Sequence, residues 1–203
     1  MDGGTCYTGC HLEAGDAAAA LRLFTDTFAP DVHSGPPRGK LNDAVSFLWH
    51  WELAGHPRDA DAWRAMQDFV IGAVPRAGIA FSDMHIALAE AVAGNEAALG
   101  EREGQIDELA RNGRYLSGPL VPAVSRTFAA FERRDFSAAI NTLEPVAGEL
   151  ERIGGSRAQL DLVEFTLLKA YVSADRQDDA RRMLSGRRRG STHLPVAGLA
   201  VAH

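Results

Sequence analysis

Gly94-Asn95-Glu96-Ala97 is the stretch on which the fold is read. A glycine able to enter the left-handed region ends one helix. The Asn95 side chain can accept from a free backbone N–H and cap the next helix. The same punctuation recurs at Gly15-Asp16-Ala17-Ala18, Gly55-His56-Pro57-Arg58, Arg134-Asp135-Phe136-Ser137 and Arg176-Gln177-Asp178-Asp179. The first positions, 15, 55, 94, 134 and 176, are spaced by 40, 39, 40 and 42 residues. Each site reads as helix, tight turn, antiparallel helix, and a regular period of this length means stacked helical hairpins.

Longer interruptions separate the hairpins: Pro30 to Gly39, Val74 to Gly78, Asn112 to Pro119, and Ile153-Gly154-Gly155-Ser156, where Ser156 is placed to cap a helix. The spacing predicts helices near 5–14, 16–29, 40–54, 59–73, 80–93, 95–111, 119–133, 136–153, 156–174 and 178–186, with a weaker segment at 191–202. Apolar residues recur at three or four, as in Leu120, Val124, Phe128 and Phe131, or Leu160, Val163, Leu167 and Ala170. Pro145 interrupts its helix and is expected to bend it. The expectation is an all-α, single-domain chain over 1–203. Its five hairpins lie near 5–29, 40–73, 80–111, 119–153 and 156–186. Its period exceeds the ~34 residues of a tetratricopeptide repeat, so a tetratricopeptide-like α-α superhelix with longer helices is predicted.

Composition agrees. Of 203 residues, 34 are alanine and only 7% are aromatic, which favours close-packed helices. No apolar run nears the ~20 residues that span a bilayer. A net charge of −6 lacks the footprint of a nucleic-acid binder. Arg187-Arg188-Arg189, preceded by Arg181 and Arg182, reads as a solvated helix end. Cys6 and Cys10 have no partner residues at zinc spacing and read as reduced thiols. No membrane or nucleic-acid partner, no cofactor and no metal are expected, and the compartment expected is the cytoplasm.

Four stretches resemble the C-terminal part of the tetratricopeptide repeat protein 38 family. Leu41 to Leu53 (Leu-Asn-Asp-Ala-Val-Ser-Phe-Leu-Trp-His-Trp-Glu-Leu) is similar to a family segment L-x-D-A-x-S-L-L-W-R-L-E-L. Phe81-Ser82-Asp83-Met84-His85 fits an F-x-D-x-H helix opening. Asp135, Ala138, Ala139, Leu143 and Pro145 fit a G-D-x-x-A-x-x-L-x-P run, and Ile153 to Asp161 is close to I-G-G-S-x-A-Q-R-D. His50 and Leu160 stand where the family pattern has arginine, so any grip those guanidinium groups provide is altered. The resemblance implies a helical-repeat protein whose amino-terminal repeats are missing from this chain, and it implies no reaction.

In such an architecture the first helix of each hairpin lines the concave side. The binding candidates there are Asp43, Trp49, His50, Glu52, Asp83, His85, Arg126, Arg157, Gln159 and Asp161. Asp83 and His85 are two apart on a helix, point about 200° from one another and do not readily share a metal. A capping role suits Asp83 better. Gly154-Gly155-Ser156 reads as a glycine turn and cap, since no Lys-Ser/Thr follows as in a phosphate loop. No catalytic motif is present. The functional expectation is a scaffold that binds a protein or peptide through its concave groove. A groove closed by the protein's own side chains would count against it. Two alternatives stand: a small-molecule or enzymatic pocket of His50, Asp83, His85 and Gln159, and a structural subunit that self-associates through its N-terminal hairpin.

Overall fold

A computed structural model describes residues 11–186, apart from residues 13, 30, 31, 33, 75 and 156 and the side chains of 28 and 157–159. The chain is all-helical, and no strand occurs among the described residues. The helices are α1 (Ala17–Leu23), α2 (Pro37–Leu53), α3 (Ala60–Ala73), α4 (Ala80–Val92), α5 (Glu96–Arg111), α6 (Leu120–Glu132), α7 (Phe136–Leu143), α8 (Arg157–Ser173) and α9 (Gln177–Gly186). A widened π turn, Phe24–Phe28, extends α1. The expected segments at 5–14 and 191–202, the cysteines, Ser156 and the arginines at 187–189 lie wholly or almost wholly outside the described residues.

The turns carry the period in their backbone. Gly15, Gly55 and Gly94 have φ of 79°, 93° and 66°, and Arg134 and Asp175 take up the same left-handed conformation at 60° and 59°. The caps follow as expected: Asp16 accepts from Ala19 N–H at 2.9 Å, Asn95 from Ala98 at 3.1 Å and Asp135 from Ala138 at 2.9 Å. The second turn is longer, and Asp59 caps α3 through the N–H groups of Asp61 and Ala62.

Two boundaries differ from the sequence reading. The helix expected from residue 40 starts at Pro37, because proline at the first helical position fits the φ it imposes and lacks only an N–H with no helical partner. The helix expected to run unbroken from 136 to 153 is α-helical only to Leu143. Over Glu144–Ile153 it tightens into a 3-10 helix. Pro145 cannot donate to the α-helical ladder, and the segment changes hydrogen-bond pattern there.

The even-numbered helices form the inner layer. α2 packs on α4, α4 on α6, α6 on α8, and α8 returns to α2. α3, α5, α7 and α9 pack outside them. The ring is closed by aromatic and aliphatic side chains. Trp49 of α2 sits edge-on to Phe128 and Phe131 of α6, and its indole N–H donates to Thr166 Oγ1 of α8 at 2.8 Å. Leu41, Met84, Ile86, Leu88, Leu120 and Leu162 are fully buried in the same core.

Candidate functional site

Helix α4 separates two groups of polar side chains because Asp83 and His85 leave it on different sides. Asp83 is fully buried. Its Oδ2 accepts from Gly78 N–H at 2.9 Å and from the Tyr115 hydroxyl at 3.0 Å, and Arg102 of α5 lies 3.4 Å from Oδ1. Arg102 also donates through Nε to both oxygens of Glu90, at 3.0 and 3.2 Å, and reaches the Val74 carbonyl at 3.4 Å. One guanidinium therefore serves two buried carboxylates. Burial pushes the Asp83 and Glu90 carboxyls upward, and Arg102 opposes that shift for both. Burial, with the Asp83 charge next, raises the Tyr115 hydroxyl as well. Asp83 does bond back to the start of its own helix, but at Gly78, and the rest of its hydrogen bonds knit α4 to α5 and to the 112–119 loop.

His85 belongs to the other group. Its Nδ1 lies 2.8 Å from the Phe81 carbonyl, which can only accept, so the proton is on Nδ1 and Nε2 keeps its lone pair. Nε2 is buried and has no hydrogen-bond partner. His50 of α2 is arranged in the same way, with Nδ1 2.7 Å from the Ser46 carbonyl. Burial lowers both imidazoles. His85 falls to about 4, its charged form further opposed by His50, while His50 is drawn partly back up by its bond to Ser46 and by Asp161. Both are neutral at pH 7. Asn42, two turns before His50, donates to Ser82 at 3.3 Å and buries an Oδ1 that has no partner.

The remaining expected binding residues are dispersed. Trp49 offers no binding surface: it is 1% exposed and fills the centre of the helical ring. Glu52 is engaged internally, accepting from the Trp63 indole and from Arg58, whose fork also grips Glu132 at 2.8 and 2.9 Å. That cluster pins the α2–α3 turn to the end of α6. Arg126 is exposed on α6, with Glu103 3.7 Å away. Asp43 and Asp161 are half-buried. The side chains of Arg157 and Gln159 lie outside the described residues. The pocket expected from His50, Asp83, His85 and Gln159 is therefore divided by α4, with His50 and His85 on one side and Asp83 on the other. Among the described residues no three His, Cys, Asp or Glu side chains are placed to hold a metal ion.

Gly154-Gly155 is explained by packing. A Cβ on Gly155 would lie 2.3 Å from Cε2 of Phe81, so the loop before α8 seats directly on the first turn of α4, and φ is +92° there. Sequence reasoning missed Glu90, Arg102, Tyr115 and Arg58. Arg102 was findable: it stands three after Leu99 and four before Ile106, inside the apolar stripe of α5, where a cation needs a buried partner. Arg58 gave no such signal: it stands in a turn, and although Glu52 is only six residues away, Glu132 is 74 positions distant.

Among the described residues, an open cleft of about 440 Å³ lies between α1, α2 and the α2–α3 turn. A smaller one of about 210 Å³, with Glu90, Glu96 and Glu132 in its walls, lies beside the α4–α5 turn. Compared with known protein families and with solved structures, the chain matches no family and no solved structure.

Proposed function

We propose that the chain is a tetratricopeptide-like helical-repeat protein that binds a protein or peptide partner. One observation carries this reading: five turns at intervals near 40 residues share a left-handed residue, in sequence as different as Gly94 and Arg134. A backbone feature that recurs where the side chains do not is the mark of a repeated supersecondary unit, and stacked helical hairpins are recognition scaffolds far more often than catalysts. The resemblance to the tetratricopeptide repeat protein 38 family supports the same class. The contact of α2 with α8 over the buried Trp49 counts against the concave groove expected from the sequence, so the binding face of the proposal is an outer one. Selection of a random peptide library on the whole chain tests this. Saturable binders are expected, and a library that returns none would overturn it.

A second reading, a small polar ligand between α2 and α4, is favoured by two buried acceptors without donors, Asn42 Oδ1 and His85 Nε2. A thermal-shift screen of small amines and alcohols against the wild type and His85→Leu tests it. Stabilisation lost in the variant supports this reading, and no stabilisation by any compound refutes it.

A further inference from the structure

The cleft beside α1 has a floor with a definite construction. Phe24 stacks on Phe47 with centroids 4.1 Å apart and planes 9° from parallel. Phe47 meets Trp51 at 5.8 Å, and Trp51 stacks on His56 at 3.9 Å. Four rings thus run as one column from α1, across α2, to the α2–α3 turn. Phe24 and Phe47 are buried while Trp51 is only partly so, and Leu21, 45% exposed, lines the same cleft. A rigid aromatic floor with an aliphatic wall receives an apolar side chain with little ordering cost, because its rings are already fixed by stacking.

Among the described lining residues the available charge is of one sign. Asp59 and Asp61 line the rim. Asp59 uses Oδ1 for the α3 cap, and Asp61 holds only an exposed pair with Arg64, which is weak in solvent. Arg58 is the cation among the described lining residues, and its fork is already committed to Glu52 and Glu132. The N-terminal end of α3 adds partial positive charge that the two aspartates offset. The whole chain carries −6. A basic group arriving at this rim finds carboxylates to pair with, and an acidic one is repelled.

Resting on the reading that the protein binds peptides, we infer that this cleft is the binding site and that its occupant is a peptide segment. That segment sets an aliphatic or aromatic side chain on the Phe24–Phe47–Trp51 column and a nearby lysine or arginine against Asp59 and Asp61. The volume of about 440 Å³ lies within the range of preformed ligand sites and accepts a few side chains of a short motif.

The test starts from peptides selected on the whole chain and measures their affinity by fluorescence anisotropy. Selected sequences are expected to pair an apolar residue with a basic one. Leu21→Glu should weaken them at least tenfold, and Asp61→Lys several-fold with a reduced dependence on salt. Leu116→Glu, at a 90% exposed position in the 112–119 loop, should change nothing. A photoreactive phenylalanine analogue replacing Leu21 in the otherwise unaltered chain gives a second readout that does not depend on a weakened variant folding, and it should cross-link the peptide. Peptides that bind with full affinity to Leu21→Glu and do not cross-link overturn the site while leaving the broader reading intact. A library that yields no peptide overturns both. Cross-linking only within the chain, or only to a second copy, shows the cleft already occupied by this protein and overturns the inference.

Discussion

The buried imidazole of His85 makes stability depend on pH in a way that can be calculated in advance. Its pKa is about 4 in the folded protein and 6.5 in the unfolded chain. Below pH 6.5 the unfolded state therefore binds more protons, and folding loses free energy until the folded pKa is passed. At about 1.4 kcal/mol per unit, the whole loss is about 3 kcal/mol, of which about 2 kcal/mol has accrued by pH 5. The contribution is fully present above pH 6.5 and gone below pH 4. Asp83 and Glu90 work in the opposite sense, since carboxyls raised by burial favour the folded state as they become protonated. The wild-type curve alone therefore mixes the two. The useful quantity is the difference between the wild type and His85→Leu, which removes the titrating group and keeps a similar volume. Urea unfolding followed by tryptophan fluorescence, at half-unit steps from pH 7.5 to 4.5, should show the wild type losing about 2 kcal/mol relative to the variant between pH 7.5 and pH 5. A difference that stays flat over that range would refute the reasoning, and with it the statement that Nε2 is shut away from solvent.

Three further outcomes are expected. Arg102→Met strands Asp83 and Glu90 without their shared cation and should cost about 3–5 kcal/mol at pH 7.5 in urea denaturation, with the deficit narrowing toward pH 5 as the carboxyls protonate. Gly155→Ala places a Cβ inside the Phe81 ring and an L side chain at φ +92°, and should lose about 2–4 kcal/mol; adding Phe81→Leu should restore part of that in a double-mutant cycle, and strict additivity would refute the contact. Arg134→Gly relieves a left-handed residue at φ 60° and should gain about 0.5–1 kcal/mol after the extra entropy of glycine in the unfolded chain, read by calorimetry as a rise in Tm of roughly 1–4 °C.

The helices were legible because their punctuation is local. Asp16, Asn95 and Asp135 act within three residues of themselves, so sequence order alone is enough to place them. Pro145 was recognisable as a disturbance, but whether a helix bends or tightens into 3-10 depends on what it packs against. The candidate site was less legible because it required knowing which way each side chain leaves its helix relative to the neighbouring helices. Reading the first helix of each hairpin as lining an open groove put Trp49 on a surface. The contact of α2 with α8, between residues more than a hundred apart, puts it in the core. Asp83 and His85 were correctly assigned to opposite directions on their helix, because the geometry of i and i+2 needs no tertiary information. Their partners Arg102 and Tyr115 come from other elements and could be found only by the presence of a charge on an apolar stripe.

The bond from Trp49 to Thr166 also sets an order of events during synthesis. The two residues are 117 positions apart. At translation rates of 5–20 residues per second, Trp49 leaves the ribosome roughly 6–23 s before its acceptor does. A row of hairpins contacting only their neighbours can consolidate one unit at a time. A ring whose first and fourth inner helices must meet cannot, since its central indole stays unsatisfied until α8 arrives. The nascent chain therefore carries an exposed aromatic seam for seconds, and loss of α8 by truncation would leave the earlier hairpins as an aggregation-prone half rather than a shorter version of the same protein.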